Sequence, residues 1–202
     1  PDPVVRVLLL GPETNRRDPT MTGGAIALHE TLQEYLATRP DLVVRCIDTN
    51  KVNYGHKLWA TSIIMSRALI DLRKTDVLFI NGTNNDYILF APLLSVIAAR
   101  LGVKTVLRKF AGNFEVSYAR WPRPVRAMAT YALRNADLLF WETRKLVEFG
   151  KSFNANSHWF PNVRPAPELA LAKAERRFNG RFVFAGHVVR EKGIAELMVA
   201  AA

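Results

Sequence analysis

The feature that most constrains this chain is an alternation. Short runs rich in Val, Ile, Leu and Phe are each followed by a longer stretch whose apolar residues recur three and four apart. Strand-type runs that keep giving way to helix-type runs specify a parallel sheet covered by helices, because parallel neighbours need a crossover between them. Val4 to Leu10, Leu42 to Ile47, Asp76 to Ile80, Val103 to Leu107, Leu138 to Trp141 and His158 to Phe160 read as strands. Of the helices between them, the first is expected to follow Gly23 and Gly24 and run to about Ala37, and the others to span Leu58 to Leu72, Tyr87 to Leu101, Pro124 to Arg134 and Thr143 to Phe149. Pro92 is expected near the start of its helix or at a kink. On the first helix the apolar stripe is Ile26, Leu28, Leu32 and Leu36; on Leu58 to Leu72 it reads as Trp59, Ile63 and Ile70 with Leu58, Met65, Leu69 and Leu72. The fold class is therefore α/β, a Rossmann-like doubly wound parallel sheet.

A chain of 202 residues that is 49% hydrophobic is long for one domain and short for two. Pro161 to Pro167 holds three prolines and reads as an exit from the first domain, placed at residues 1 to 163. Residues 164 to 180 are expected as a linker, of which Glu168 to Phe178 is polar and helix-prone. Arg181 to Ala185 then begins a new strand that turns through Gly186 into a helix from about Lys192, so residues 181 to 202 read as the first βα unit of a second, truncated domain. Pro1 at one end and an alanine run inside helix-type sequence at the other both look like cuts.

The formal charge of +10 asks for an anionic partner: nucleic acid, an acidic membrane surface or a phosphate-bearing substrate. Basic residues beside aromatics, such as Arg120-Trp121-Pro122-Arg123, keep a nucleic-acid module open, but no RNA- or DNA-binding motif occurs and the expectation is against one. Cys46 lies in an apolar run and reads as a small core residue in a reducing compartment. His29, His56, His158 and His187 show no metal-ligand spacing, and neither a nucleophile elbow nor a P-loop occurs. No apolar run approaches the roughly 20 residues needed to span a bilayer.

Ligands of an open parallel sheet bind beyond the carboxyl ends of its strands, so the loops there hold the candidate site. The loop after the first strand ends in Gly23-Gly24 directly before a helix, where bare amides and the helix dipole suit an anion. The spacing is not that of the dinucleotide fingerprint. After the third strand come Asn81, Gly82 and Thr83, and after the fourth Arg108, Lys109, Phe110 and Gly112, with Asn113 following. These amides, hydroxyls and cations suit polyol and phosphate recognition. Ordinary helix-start and turn chemistry is the alternative for both the glycine pair and the Asn cluster. Glu115 and Glu142 stand in similar loops and read as solvated charges or ion-pair partners.

The segment Phe184-Ala185-Gly186-His187-Val188-Val189-Arg190-Glu191-Lys192-Gly193 resembles the strand-turn-helix opening the second domain of retaining GT-B glycosyltransferases of family four. Gly23-Gly24, Ala136-Asp137 followed by Thr143, and the hinge-like Phe160-Pro161-Asn162-Val163 resemble that family in the same order along the chain. The resemblance implies a GT-B N-terminal domain joined to the start of a nucleotide-sugar-binding domain. It implies sugar transfer with retention from a nucleotide-diphosphate donor to a glycan, polysaccharide or lipid-linked acceptor, without a cofactor or metal. Lys192 falls on the family's diphosphate-clamping Lys; His187 stands where an Arg is usual, with Arg190 nearby to supply charge. Arg108, Lys109 and Phe110 stand where the family often carries a His. The family's paired-glutamate motif has no counterpart before Ala202, so no catalytic residue is assigned, and residues 1 to 202 alone are expected to show no transfer. A nucleotide-sugar epimerase of the same architecture is the alternative enzyme. The expected location is cytoplasmic, peripheral on the inner face of the membrane, with His56 to Lys74 and Arg120 to Arg134 as surface-binding segments.

Overall fold

The computed structural model describes residues 4–20, 23–110, 113–163 and 193–201. The chain divides into two compact units, 1–165 and 166–202. The first contains a six-stranded, all-parallel sheet in the order β2-β1-β3-β4-β5-β6. Its strands are β1 (Val5–Gly11), β2 (Leu42–Asp48), β3 (Val77–Gly82), β4 (Lys104–Lys109), β5 (Leu138–Trp141) and β6 (Ser157–Trp159). The helices between them are α1 (Gly24–Ala37), α2 (Lys57–Leu72), α3 (Asn84–Leu101), α4 (Phe114–Arg120), α5 (Arg123–Asn135) and α6 (Arg144–Lys151). This is the expected Rossmann-like α/β arrangement. The second unit contributes α7 (Ile194–Ala201), on which Met198 and Val199 are exposed. The strand expected at Arg181 to Ala185 and the linker before it lie outside the described residues.

Helix placement follows from the strand order and the handedness of parallel crossovers. Only the β1-to-β2 step moves the chain toward one edge; every later step moves it the other way, so a right-handed connection puts α1 alone on one face. The burial pattern agrees. Leu8, Leu10, Ile47, Leu78, Ile80, Leu107, Leu139 and Trp141 form one buried cluster with side chains from α2, α3, α4, α5 and α6. Their strand neighbours Val7 and Leu9 point to the opposite face, where α1 supplies Leu28 and Leu32. Farther along that second face Val77, Phe79, Val106, Leu138 and Phe140 are only half buried.

Three local expectations need correction. The stripe that α2 buries is Ala60, Ile64, Ala68 and Leu72, while Leu58, Trp59 and Ile70 are 76%, 65% and 67% exposed. Small residues at 60 and 68 let the helix lie close to the sheet, and the larger side chains on its other faces remain outside. Pro92 lies in the interior of α3, buried, rather than near its start. The additional helix α4 carries Phe114, the hub of an aromatic cluster whose rings from Tyr87, Trp121, Trp141 and Phe149 lie 5.4–6.1 Å away. Trp121 is thereby committed to packing, which removes the main aromatic of the surface-binding segment expected at Arg120 to Arg134.

Candidate functional site

The carboxyl edge of β1 is organised by a carboxylate at the end of β2. Asp48, 4% exposed, accepts from the backbone N–H of Glu13 at 3.0 Å and of Asn50 at 2.7 Å, and from Asn53 Nδ2 at 2.6 Å. Asn50 and Asn53 in turn donate to the carbonyls of Glu13 and Thr14, and Glu30 of α1 accepts from the Thr14 amide. The first part of the loop leading to Gly23 is thus fixed by side chains from β2, its following turn and α1. A cleft of about 550 Å³ beside it is lined by Glu13, Glu30 and Glu34 with Arg16, a polarity unsuited to phosphate.

Two helices at this edge close their own N-termini. On α3, Thr83 and Asp86 form a reciprocal capping box: the Asp86 carboxylate accepts from the Thr83 amide at 2.6 Å. On α6, Thr143 Oγ1 accepts from the Leu146 amide. By contrast, α1 begins at Gly23 and Gly24 with neither a side-chain cap nor an acidic residue in its first turn. Gly23 has an extended backbone, φ −103°, and a Cβ added at either glycine would meet nothing within 4 Å. Neither close packing nor a left-handed conformation accounts for the pair among the described residues.

Strand alternation sorts the remaining candidates. Asp48 pairs with Gly11, and Asn81 with Arg108 and Arg108 with Phe140; Gly11 and Asn81 each follow the last β1–β3 pair, Leu10 with Ile80, so the five stand level across five strands and share the α1 face. Gly82, Lys109 and Trp141 form the next row, on the helix-rich face. Asn81 and Arg108 therefore belong together, whereas Gly82, Thr83 and Lys109 are engaged elsewhere. A Cβ on Gly82 would come within 2.7 Å of Asp86, so the glycine permits the capping box. Lys109, 1% exposed, donates to the Phe110 carbonyl and lies 5.6 Å from the Phe114 ring centre. Burial lowers its pKa to about 8, against the opposing pull of Glu142 and Asp86. Arg108 and Lys109, adjacent in sequence, thus stand on opposite faces of the sheet.

His29, missed in the sequence except as a rejected metal ligand, completes the α1-side row. Its ring covers Gly11 so closely that a Cβ there would overlap it. Its Nδ1 lies 3.0 Å from Asn81 Nδ2, an arrangement that makes the imidazole the acceptor and places its proton on Nε2. Burial lowers its pKa to about 4, so it is neutral at physiological pH. His29 Nε2, Asn81 Oδ1 and Arg108 Nε are all buried without a partner among the described residues. The signal for His29 was a polar residue beside Leu28 and Leu32 on an otherwise apolar helix face. For Asp48 it was a carboxylate ending an apolar strand.

Gly112, His187, Arg190 and Lys192 lie outside the described residues. Among the described residues no group of three His, Cys, Asp or Glu could hold a metal ion. Comparison with protein-family models and with curated proteins gives no match.

Proposed function

We propose that the chain belongs to a GT-B-like glycosyltransferase that moves a sugar from a nucleotide-diphosphate donor to a glycan, polysaccharide or lipid-linked acceptor with retention. The observation that carries this reading is the open, uncapped start of α1. Gly23 and Gly24 leave backbone amides bare at the carboxyl edge of a parallel sheet, the place where such folds bind phosphates. In this reading the amides and the positive end of the helix stabilise charge that develops on the departing diphosphate. Lys192, which resembles the family's diphosphate-clamping Lys, is the cation this reading assigns to the donor. Asn81 and Arg108, in the row level with Gly11 at the end of β1, face the sugar or the acceptor.

The test is titration of the chain with nucleoside diphosphates, wild type against Lys192→Ala. Loss of a charge-assisted contact is worth about 1.5–3 kcal/mol, hence a roughly tenfold to hundredfold weaker affinity in the variant. Unchanged affinity removes Lys192 from the site, and no binding by the wild type counts against the whole reading.

Attachment to an anionic membrane surface belongs to the same proposal, because a lipid-linked acceptor is reached there. It is supported by the outer face of α2, where exposed Leu58, Trp59 and Ile70 accompany exposed Arg67, Arg73 and Lys74. Among the described residues no helix is long and apolar enough to cross a membrane. Co-sedimentation with anionic vesicles at low salt should be reduced by Trp59→Ser and by neutral lipid; equal binding in all cases removes the membrane from the account.

A further inference from the structure

Arg108 is 2% exposed and has no carboxylate within ion-pair distance among the described residues. The arginines that do pair, such as Arg6 with Asp76 and Arg39 with Asp41, do so at the surface. Of the donors on its guanidinium, Nη2 makes one long bond of 3.3 Å to Asn162 Oδ1, and Nε has no partner. Phe160 and Phe110 lie against it, with ring centres 4.4 and 5.0 Å from Cζ. Burial lowers its pKa to about 10, which leaves it a cation at neutral pH.

A buried cation calls for an answering charge. None is in contact. The register neighbour Asn81 is an amide, and His29 behind it is neutral. Glu142 is the nearest compensation, but Asn162 stands between: its Nδ2 donates to Glu142 Oε2 at 2.7 Å while its Oδ1 accepts from Arg108. Asn162 is exposed, so its neutral carboxamide is the group that stands between the buried guanidinium and the surface. A guanidinium fork flanked by two rings is matched by a planar oxyanion, which it grips through two parallel N–H donors where water is excluded.

We propose that Arg108 is the recognition group for an oxyanion, the carboxylate or phosphate of an acidic sugar substrate, which takes the place of the Asn162 amide oxygen. The word sugar rests on the transfer reading above; the oxyanion does not. The bound anion neutralises Arg108 and leaves Asn162 held by Glu142 alone. Asn81 and His29, the members of the row between Arg108 and Asp48, bring no carboxylate into contact with the guanidinium.

The experiment is thermal unfolding of the 202-residue chain at low salt with glucuronate, inorganic phosphate or neutral glucose, for wild type, Arg108→Lys and Arg108→Met. The wild type should be stabilised by an anion and not by glucose. Arg108→Lys, which keeps the charge but loses the fork, should need at least about ten times more anion for the same shift. Arg108→Met fills the space between the rings without charge; it should lose the response and, without ligand, melt above the wild type by about 2 °C or more. A response to glucuronate alone assigns a carboxylate, and one to phosphate alone assigns a phosphate. No anion response in the wild type, an equal response in Arg108→Met, or a lower ligand-free Tm in Arg108→Met overturns the proposal. Nucleoside diphosphate binding measured alongside separates the two ideas: its absence counts against transfer and leaves the anion result unaffected.

Discussion

The two faces of the sheet use the same strands for opposite purposes. On the face covered by α2 through α6, register rows such as Leu10, Ile80, Leu107 and Leu139 are apolar and almost fully buried. Even Lys109, a cation on that face, is folded back against Phe114 and a carbonyl. The α1 face has one helix, half-buried aromatics, and a row whose polar side chains stay partly unsatisfied: His29, Asn81 and Arg108. Close packing stabilises the first. Unmet hydrogen-bonding capacity occurs on both, at Asn84, Tyr87, Ser95 and Glu115 of α3 and α4 as well, but on the second it is gathered in one row at the edge where ligands of parallel sheets bind.

The sharpest way to break this contrast is to truncate neighbours on one strand. Trp141 is completely buried in the aromatic cluster, and its Nε1 donates to Ser157 Oγ at 3.4 Å. Trp141→Ala should therefore destabilise the domain by about 3–5 kcal/mol. Phe140, one residue earlier, faces the α1 side and is half buried beside Phe79 and Phe160. Phe140→Ala should remove only about 1 kcal/mol. Urea denaturation measures both, and comparable losses would mean that the α1 face is packed as tightly as the other.

A smaller effect comes from pH. The folded pKa of His29, about 4, lies below its ordinary 6.5, chiefly because burial opposes the charged ring, with Arg108 adding to this and Asp48 and Glu30 opposing it. The stabilisation is complete above pH 6.5 and is lost progressively as the pH falls toward 4, by about 3 kcal/mol at most. Thermal unfolding of wild type and His29→Gln across pH 7 to 4.5 should show the steeper decline in the wild type. Parallel profiles would remove His29 from the acid sensitivity.

The strands were legible because apolar runs bounded by turns are dictated by burial on both faces of a parallel sheet, and each of the six observed strands overlaps an expected one, with ends that differ by a residue or two. The α2 face was misread because large apolar residues dominate any periodicity count, while the sheet accepted Ala60 and Ala68 and left Trp59 outside. The Arg108-Lys109 pair misled for a related reason. Adjacent residues on a strand point to opposite faces, so nearness in sequence separated the two cations rather than joining them. His29 was invisible as a site residue because its partner Asn81 is 52 positions away, a contact that only the packing of α1 over Gly11 creates.

The smallest stability change belongs to Gly24, and it bears most directly on whether the α1 edge is a site. Gly24 is exposed at the first position of α1, with no atom near the place a Cβ would occupy. Alanine is the better helix former, so Gly24→Ala should leave Tm unchanged or raise stability by about 0.5–1 kcal/mol. For a folding role the experiment would end there. If phosphate approaches the bare amides, the new methyl group and, more strongly, the branched side chain of Gly24→Val stand in its way, and nucleoside diphosphate affinity should fall roughly tenfold, about 1.4 kcal/mol, while Tm holds. The informative outcome is the combination, since a variant at least as stable as the wild type but weaker in binding has lost a contact that exists only with a ligand present. A stable Gly24→Val with undiminished affinity would make the glycine pair an ordinary helix start.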